Sequence, residues 1–241
     1  MALRVFETPI GAYEISYLIE GEIASPKVLV LHGWGANKEL MRQTFSRFFG
    51  SFRALYVDLP GFGASKTERV MTSADYAAVI RAVLAELDFA PHAIVAHSFG
   101  GKIAALLDPP LLVLLSSAGI LKPKSKSVRL KIALAKIFKP FFSGALRNRL
   151  RANDARGISE TMYETFKNVV KEDFAPVFAA RDKKTLIFWG KSDPETPLFC
   201  GEKMHSLIKD SEFFALSGDH FFFTAHSSTI AKTIKETIGD S

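Results

Sequence analysis

Ser98 lies where an apolar run, Ile94 to Ala96, meets a helical pattern that begins at Phe99. A strand that turns sharply into a helix strains its corner residue, and small residues two positions to either side let the two backbones approach. Ala96 and Gly100 occupy those positions. The first amide hydrogens of such a helix have no partner within the helix and point toward the corner. The segment predicts a nucleophilic serine beside oxyanion donors, although an ordinary tight turn with a solvated serine would share this short pattern.

A serine hydroxyl needs a base within hydrogen-bonding distance, and that base needs a partner that fixes its tautomer. We predict His220 as the base because it follows the last apolar strand, Ser211 to Leu216, where parallel sheets place active sites. We interpret His32 as a structural histidine that bonds nearby backbone. The remaining histidines are weaker candidates by position, namely His92, His97, His205 and His226.

The acid that orients the base should follow another strand. Asp193 comes soon after the predicted strand Thr185 to Trp189, in a loop that two prolines stiffen. Glu195 and Asp219 are the alternatives, but Asp219 adjoins the predicted base too closely to face it. The residues follow one another along the chain in the order Ser98, Asp193, His220. We predict that these three side chains meet and perform acyl transfer.

These residues need a sheet that brings loops together. Apolar runs followed by helical patterns are typical of βα units, so we predict an α/β fold with a mostly parallel central sheet and helices on both faces. The predicted strands are Val28 to Leu31, Ala54 to Val57, Ile94 to Ala96, Leu111 to Leu115, Thr185 to Trp189 and Ser211 to Leu216. The predicted helices of this core are Tyr76 to Leu87, Leu198 to Ile208 and Thr229 to Ile238, with one beginning at Phe99.

The fourth and fifth predicted strands are too far apart in sequence for a direct connection. We predict a helical cap over residues 122–180, inserted into a core formed by residues 1–121 and 181–241. Residues 122–156 carry eleven basic side chains and one acidic side chain, a net charge of +10, so the rest of the chain carries −4 (6 − 10). This basic segment is either a solvated helix face or a docking surface for an acidic partner or a membrane lipid. Candidate pocket or docking residues within it are Phe138, Phe141, Phe142, Arg147, Arg149 and Arg151.

Other features narrow the class of protein. The single cysteine, Cys200, cannot form an internal disulfide, and we interpret it as an inert buried thiol. The first residues lack a secretory signal pattern and no apolar run is long enough to span a bilayer, so we expect a soluble cytoplasmic protein without a transmembrane segment. We find no phosphate-binding loop and no metal-ligand pattern, so we predict no metal and no cofactor, and we expect no nucleic-acid partner.

Two further motifs carry a resemblance to a known family. His32-Gly33-Trp34-Gly35 and Asp58-Leu59-Pro60-Gly61-Phe62-Gly63-Ala64-Ser65 each follow a predicted strand, and together with the turn at Ser98 they resemble the α/β-hydrolase family. The resemblance implies that the backbone amides of Trp34 and Phe99 form an oxyanion hole, while Asp58 and Ser65 brace their turn. Dehalogenases and epoxide hydrolases of this fold carry aspartate where this chain has Ser98, which favours acyl transfer.

The same two motifs are also similar to those of pimeloyl-carrier-protein methyl ester esterases. This resemblance implies a basic cap that docks an acidic carrier protein. We therefore expect a serine hydrolase that cleaves carboxylic esters through an acyl-enzyme. The alternatives are hydrolysis of carbon–carbon bonds, which the family performs with the same three residues, and a binding protein that has lost turnover.

Overall fold

The computed structural model describes residues 1–121 and 159–239. Within these residues eight strands form one sheet: β1 (Ala2–Thr8), β2 (Gly11–Glu20), β3 (Lys27–Leu31), β4 (Arg53–Val57), β5 (Ala93–His97), β6 (Leu111–Leu115), β7 (Thr185–Gly190) and β8 (Ser211–Leu216). The described α-helices, numbered in chain order, are α1 (Lys38–Phe45), α2 (Ser73–Glu86), α3 (Phe99–Leu107), α4 (Glu160–Val169), α5 (Ala175–Ala179), α6 (Leu198–Leu207) and α7 (Ser227–Gly239).

The strand order places a crevice at the centre of the sheet. The order is β1-β2-β4-β3-β5-β6-β7-β8, with β1 and β2 antiparallel to their neighbours and the remaining pairs parallel. From β3 the chain moves outward to β4 and then returns to place β5 on the other side of β3. Loops that leave the carboxyl ends of β3 and β5 therefore diverge, and a crevice opens between them.

Both faces of the sheet are buried, which explains the continuous apolar runs. Side chains alternate along each strand, so Leu29 and Leu31 of β3 contribute to one hydrophobic core while Val28 and Val30 contribute to the other. The first core packs against α2, α3, α5 and α6, and the second packs against α1 and α7. The predicted fold class is confirmed.

All six predicted strands are present, each matching its predicted bounds to within one residue. The hairpin of β1 and β2 is a feature that the prediction missed. Strand β2 alternates buried Tyr13 and Ile15 with exposed Glu14, and β1 buries only Phe6 fully. Strands with such alternating burial lack the continuous apolar run on which the prediction relied.

The predicted cap lies only partly within the described residues. Helices α4 and α5 belong to its last part, whereas residues 122–158, including Phe138, Phe141, Phe142, Arg147, Arg149 and Arg151, lie outside the described residues. The division into core and cap stays a prediction. In the described part of the chain, no helix combines the length and apolar character that crossing a membrane would require.

A buried ion pair braces the turn after β4. The Asp58 carboxylate accepts hydrogen bonds from the Lys38 backbone N–H at 2.7 Å, from Lys38 Nζ at 2.6 Å and from the Ala64 N–H at 3.0 Å. Ser65 Oγ donates to the Asp58 carbonyl and accepts from the Ser16 N–H. Asp58 and Ser65 therefore brace the turn, as the sequence predicts.

Two buried histidines lie behind the loops that follow β3 and β5. His32 Nδ1–H donates to the Gly33 carbonyl at 2.7 Å, and His32 Nε2 accepts from the Leu59 N–H at 3.0 Å. Burial lowers the pKa of His32 to about 4. Burial, and secondarily the neighbouring His220, lowers the pKa of His97 to about 3. Both rings are neutral in the folded protein at physiological pH. The two hydrogen bonds of His32 with backbone groups give it the structural role that the sequence predicts.

The Lys38–Asp58 pair yields a stability prediction. Lys38→Met would leave the Asp58 carboxylate buried without its cation, because the two side chains are only 7% and 1% exposed. We expect the free energy of unfolding in urea to fall by about 3 kcal/mol. The control is Lys232→Met, whose pair with Glu236 is 76% and 60% exposed and should contribute less than about 1 kcal/mol. Equal effects of the two substitutions would contradict the assignment.

The buried histidines yield a second prediction. Their folded pKa values lie below the unfolded value, so the unfolded chain binds more protons and stability is lost as pH falls below about 6.5. Between about pH 7 and pH 5 each histidine should remove about 2 kcal/mol from the free energy of unfolding. In urea titrations at both pH values, His97→Gln should lose less stability than the unsubstituted protein, because glutamine does not titrate. An identical pH dependence in the variant and in the unsubstituted protein would refute the prediction.

Candidate active site

Ser98 occupies a strained corner between β5 and α3. Its backbone has φ +50° and ψ −114°, a combination that non-glycine residues rarely adopt. A Cβ at Gly100 would lie 2.7 Å from the His32 carbonyl oxygen, and a Cβ at Gly101 would lie 2.0 Å from Ser117 Oγ. Both positions therefore require glycine. The sequence analysis predicts a small residue at position 100 so that the backbones can approach, and it makes no prediction for position 101.

The structure brings together the three side chains that the sequence predicts. His220 Nε2 lies 3.0 Å from Ser98 Oγ, and His220 Nδ1 lies 2.7 Å from Asp193 Oδ2. The loops after β5, β7 and β8 supply these residues at the carboxyl edge of the sheet. Because Asp193 can only accept when ionised, Nδ1 of His220 carries the proton and Nε2 is free to accept from the serine hydroxyl. His220 and Asp193 are buried, while Ser98 is half-buried.

The loop around Asp193 holds its carboxylate for His220. Oδ1 accepts from the backbone N–H groups of Glu195 at 2.8 Å and Thr196 at 2.9 Å, and the Thr196 hydroxyl lies 2.8 Å from Oδ2. Burial would raise the pKa of Asp193, but the hydrogen bonds with His220 and Thr196 outweigh it and lower the pKa to about 2. The carboxylate is therefore ionised at physiological pH.

Thr196 is a site residue that the sequence analysis missed. An aspartate followed after three residues by threonine is the signal that could have identified it, because such side chains form local hydrogen-bonded turns. Neither of the two alternative acids is seen to hydrogen-bond His220 among the described residues. Glu195 is exposed, and Asp219 accepts a hydrogen bond from the Phe221 N–H on its own turn.

His97 is a second residue that the sequence analysis missed. The sequence ranks it as a weaker candidate for the base, and its ring packs against that of His220, with centroids 4.6 Å apart, without a hydrogen bond to Ser98. His97 Nε2–H donates to the His220 carbonyl at 3.0 Å, and His97 Nδ1 has no hydrogen-bond partner among the described residues. His97 therefore ties the last residue of β5 to the backbone of the loop that carries His220.

The loop after β3 lies in close contact with the corner at Ser98. A Cβ at Gly33 would lie 3.0 Å from Ser98 Cβ and 2.8 Å from His97 Nδ1, so only glycine fits there. The Trp34 and Phe99 rings contact each other edge to face, with centroids 5.5 Å apart. Phe99 is the first residue of α3, so its N–H has no acceptor within the helix. Gly33 and Phe99, the chain neighbours of Trp34 and Ser98, therefore lie at the corner, and the oxyanion hole that the family resemblance implies stays a prediction.

A cavity of about 840 Å³ opens above these residues. Its walls are mostly apolar, with Trp34, Phe99, Ile120, Phe166 and Val169 among them, and the buried cation Lys102 reaches it from α3. Among residues 1–121 and 159–239 no three carboxylate, histidine or cysteine side chains cluster closely enough to hold a metal ion. Cys200 is buried in α6 outside the cavity lining.

Comparisons with known proteins show which families and folds this chain is similar to. A pimeloyl-[acyl-carrier protein] methyl ester esterase from Neisseria meningitidis serogroup B is 24% identical over 89% of this chain and 93% of its own length. A 2-succinyl-6-hydroxy-2,4-cyclohexadiene-1-carboxylate synthase from Citrobacter koseri is 33% identical, over 36% of this chain and 34% of its own length. The solved structure of an esterase from Exiguobacterium antarcticum has the same fold, with a TM-score of 0.76 and 20% identity over 98% of each chain.

The family profile covers most of the chain. Residues 28–233 match the alpha/beta hydrolase family, a range that includes every strand from β4 to β8 and all three residues of the hydrogen-bonded chain at Ser98. Its relatives include esterases. The chain belongs to the alpha/beta hydrolase family.

Proposed function

We propose that this protein is a carboxylic ester hydrolase in which Ser98 is the nucleophile, His220 the general base and Asp193 the residue that orients the base. The observation that carries the proposal is the continuous hydrogen-bonded chain from Asp193 Oδ2 through His220 to Ser98 Oγ, with distances of 2.7 and 3.0 Å. It opens into an apolar cavity large enough for an acyl group.

In the acylation step Ser98 Oγ attacks the ester carbonyl carbon while His220 Nε2 takes the hydroxyl proton. The imidazolium that forms is stabilised by the ionised Asp193, whose low pKa prevents it from taking that proton itself. The carbonyl oxygen becomes an oxyanion, to which the backbone N–H groups of Trp34 and Phe99 would donate. Collapse of this intermediate breaks the bond to the alcohol oxygen, and His220 returns the proton to the departing alcohol.

Deacylation repeats the sequence with water as the nucleophile. His220 accepts a proton from water, the resulting hydroxide adds to the acyl carbon, and Ser98 leaves with that proton. The carboxylic acid is released and the serine hydroxyl is restored. His97, which holds the His220 carbonyl, supports this cycle by fixing the base in the same place for both steps.

Two kinds of evidence favour an ester attached to a carrier protein as the substrate. The relative from Neisseria is named for a pimeloyl-[acyl-carrier protein] methyl ester, and it matches this chain along most of its length. The sequence also concentrates a net charge of +10 in residues 122–156, which would attract an acidic carrier. The cap and its docking role stay predictions, because the basic segment lies outside the described residues. A cytoplasmic location stays a prediction as well.

Hydrolysis of carbon–carbon bonds is the second candidate. The observation that favours it is the local similarity to the Citrobacter synthase, whose name describes a cyclohexadiene carboxylate product. Product analysis separates the two activities, since an ester gives an acid and an alcohol whereas a diketone gives an acid and a ketone. A protein that only binds its ligand would produce neither pair.

Substitution of the nucleophile tests the proposal. Ser98→Ala should lower kcat/KM for p-nitrophenyl butyrate by about 10³-fold or more, because the remaining groups cannot form an acyl-enzyme. The matched control is Ser192→Ala, on an exposed serine of the loop that carries Asp193, which should retain activity within about twofold. Circular dichroism should show both variants folded. An active Ser98→Ala variant would refute the mechanism.

Salt dependence tests the carrier-protein substrate. If basic side chains attract the carrier, kcat/KM for a methyl ester on an acyl-carrier protein should fall about tenfold or more between about 20 mM and 200 mM NaCl. The same ester on a neutral thioester analogue should show little change. Hydrolysis of small esters without any hydrolysis of the carrier-bound ester at low salt would exclude this substrate and leave the esterase proposal standing.

A further inference from the structure

Lys102 is a buried cation that the proposed chemistry does not use. It lies on α3 one turn after Ser98, and only 3% of its surface is exposed. Its Nζ donates to the carbonyl of Val169 at 2.5 Å and to the carbonyl of Glu172 at 3.0 Å. Nζ also lies 3.8 Å from Glu172 Oε2 and 4.9 Å from the Phe174 ring centroid. A cation at the last carbonyl of α4 also interacts favourably with the helix dipole.

Glu172 connects this cation to a third element. Glu172 Oε1 accepts from the Ser73 backbone N–H at 3.0 Å, and its Oε2 accepts from the Ser73 hydroxyl. Ser73 is the first residue of α2, where a carboxylate also meets the positive end of the helix dipole. We call this set of contacts the Lys102 clamp. In it Lys102 contacts Val169 and Glu172, and Glu172 contacts Ser73. The clamp fastens the end of α4 to both α3 and α2.

The clamp holds a wall of the cavity. Phe166 and Val169 of α4 line the cavity above Ser98, and the Phe166 ring lies 5.2 Å from the Trp34 ring, centroid to centroid. Most of α4 faces solvent or the cavity, since only Met162, Thr165 and Val169 of its residues are buried. Besides the clamp, a hydrogen bond from the Met71 N–H, two residues before α2, to Thr165 Oγ1 fastens α4 to the core.

We propose that Lys102 is a positioning residue that determines acyl specificity: through the clamp it fixes the α4 wall and so sets the length of acyl chain that the cavity accepts. This inference rests on the proposed esterase function for its substrate class. Burial lowers the pKa of Lys102 to about 8 against the opposing effect of the Glu172 and Asp173 carboxylates, so the clamp is charged at neutral pH. Lys102 does not touch the reacting atoms, and its loss should leave the chemical step intact.

The first test measures the chain-length profile of Lys102→Met, which keeps the volume of the side chain and removes its charge. We expect KM for p-nitrophenyl octanoate to rise about tenfold while kcat/KM for p-nitrophenyl acetate stays within about twofold. Ser73→Ala, which removes only the hydroxyl bond to Glu172, should shift the profile in the same direction by a smaller factor. Lys167→Met is the matched control, because that lysine of α4 pairs with Glu164 on the surface.

An equal loss on both esters in Lys102→Met would overturn the inference, because it would assign Lys102 to the chemical step or to global folding. An unchanged profile in a folded Lys102→Met variant would also overturn it. If Lys102→Met fails to fold, Ser73→Ala decides: a profile identical to that of the unsubstituted protein then rejects the clamp as a determinant of specificity.

The second test does not depend on turnover. In hydrogen–deuterium exchange, peptides covering residues 160–174 should exchange about tenfold faster in Lys102→Met than in the unsubstituted protein, while β5 and β6 keep their protection. Unchanged exchange of these peptides would overturn the clamp whether or not any ester is cleaved. If the unsubstituted protein cleaves no ester and the exchange still accelerates, the esterase proposal fails while the positioning role of Lys102 stands.

Discussion

The hydrogen bond between His220 Nε2 and Ser98 Oγ joins loops that are 122 residues apart in the chain, and the structure around it serves to keep its length near 3.0 Å. One end is held by the strained corner at Ser98. Glycines at positions 33, 100 and 101 let other backbone and side-chain atoms approach that corner closely. The other end is held by Asp193 and by the backbone contact from His97. A shift of about 1 Å at either end would weaken the proton transfer that we propose for this site substantially.

The sheet makes this contact possible. Because β5 lies at the point where the strand order reverses, the loops after β3 and β5 open around the serine, and the loops after β7 and β8 approach from the other side. A Cβ at Gly190, the last residue of β7, would lie 2.1 Å from the Asp219 carbonyl oxygen, which shows how closely the acid and base loops pack. Helix α3 begins directly after Ser98 and carries Lys102, whose Nζ bonds the Val169 carbonyl, so one helix connects the proposed nucleophile to the α4 wall of the cavity.

Much of this arrangement could be predicted from the sequence because it depends on local patterns. Continuous apolar runs mark the buried parallel strands, and small residues around Ser98 mark the corner. Asp193 and His220 could be identified because each follows a strand end. The hairpin of β1 and β2 could not be predicted in the same way, since its alternating residues give a weaker signal than a fully buried strand.

The site residues that the prediction missed do not belong to the strand and helix patterns on which it relied. Thr196 orients Asp193 only through the conformation of its loop, and His97 reaches the His220 carbonyl only because distant strand ends meet. Lys102 and Glu172 are 70 residues apart, and nothing in the sequence pairs them. The contacts of His97, Lys102 and Glu172 depend on tertiary packing, for which single-sequence patterns carry no signal. The contact of Thr196 with Asp193 is local, and its spacing of three residues is a signal that the prediction did not use.

A fluorophosphonate reagent followed by peptide mass spectrometry tests whether His220 and Asp193 activate Ser98 alone among the serines. We expect a single adduct on the peptide that contains Ser98, and this adduct should form much more slowly in His220→Ala. An adduct on another residue, or equally fast labelling of Ser98 without the imidazole, would contradict it.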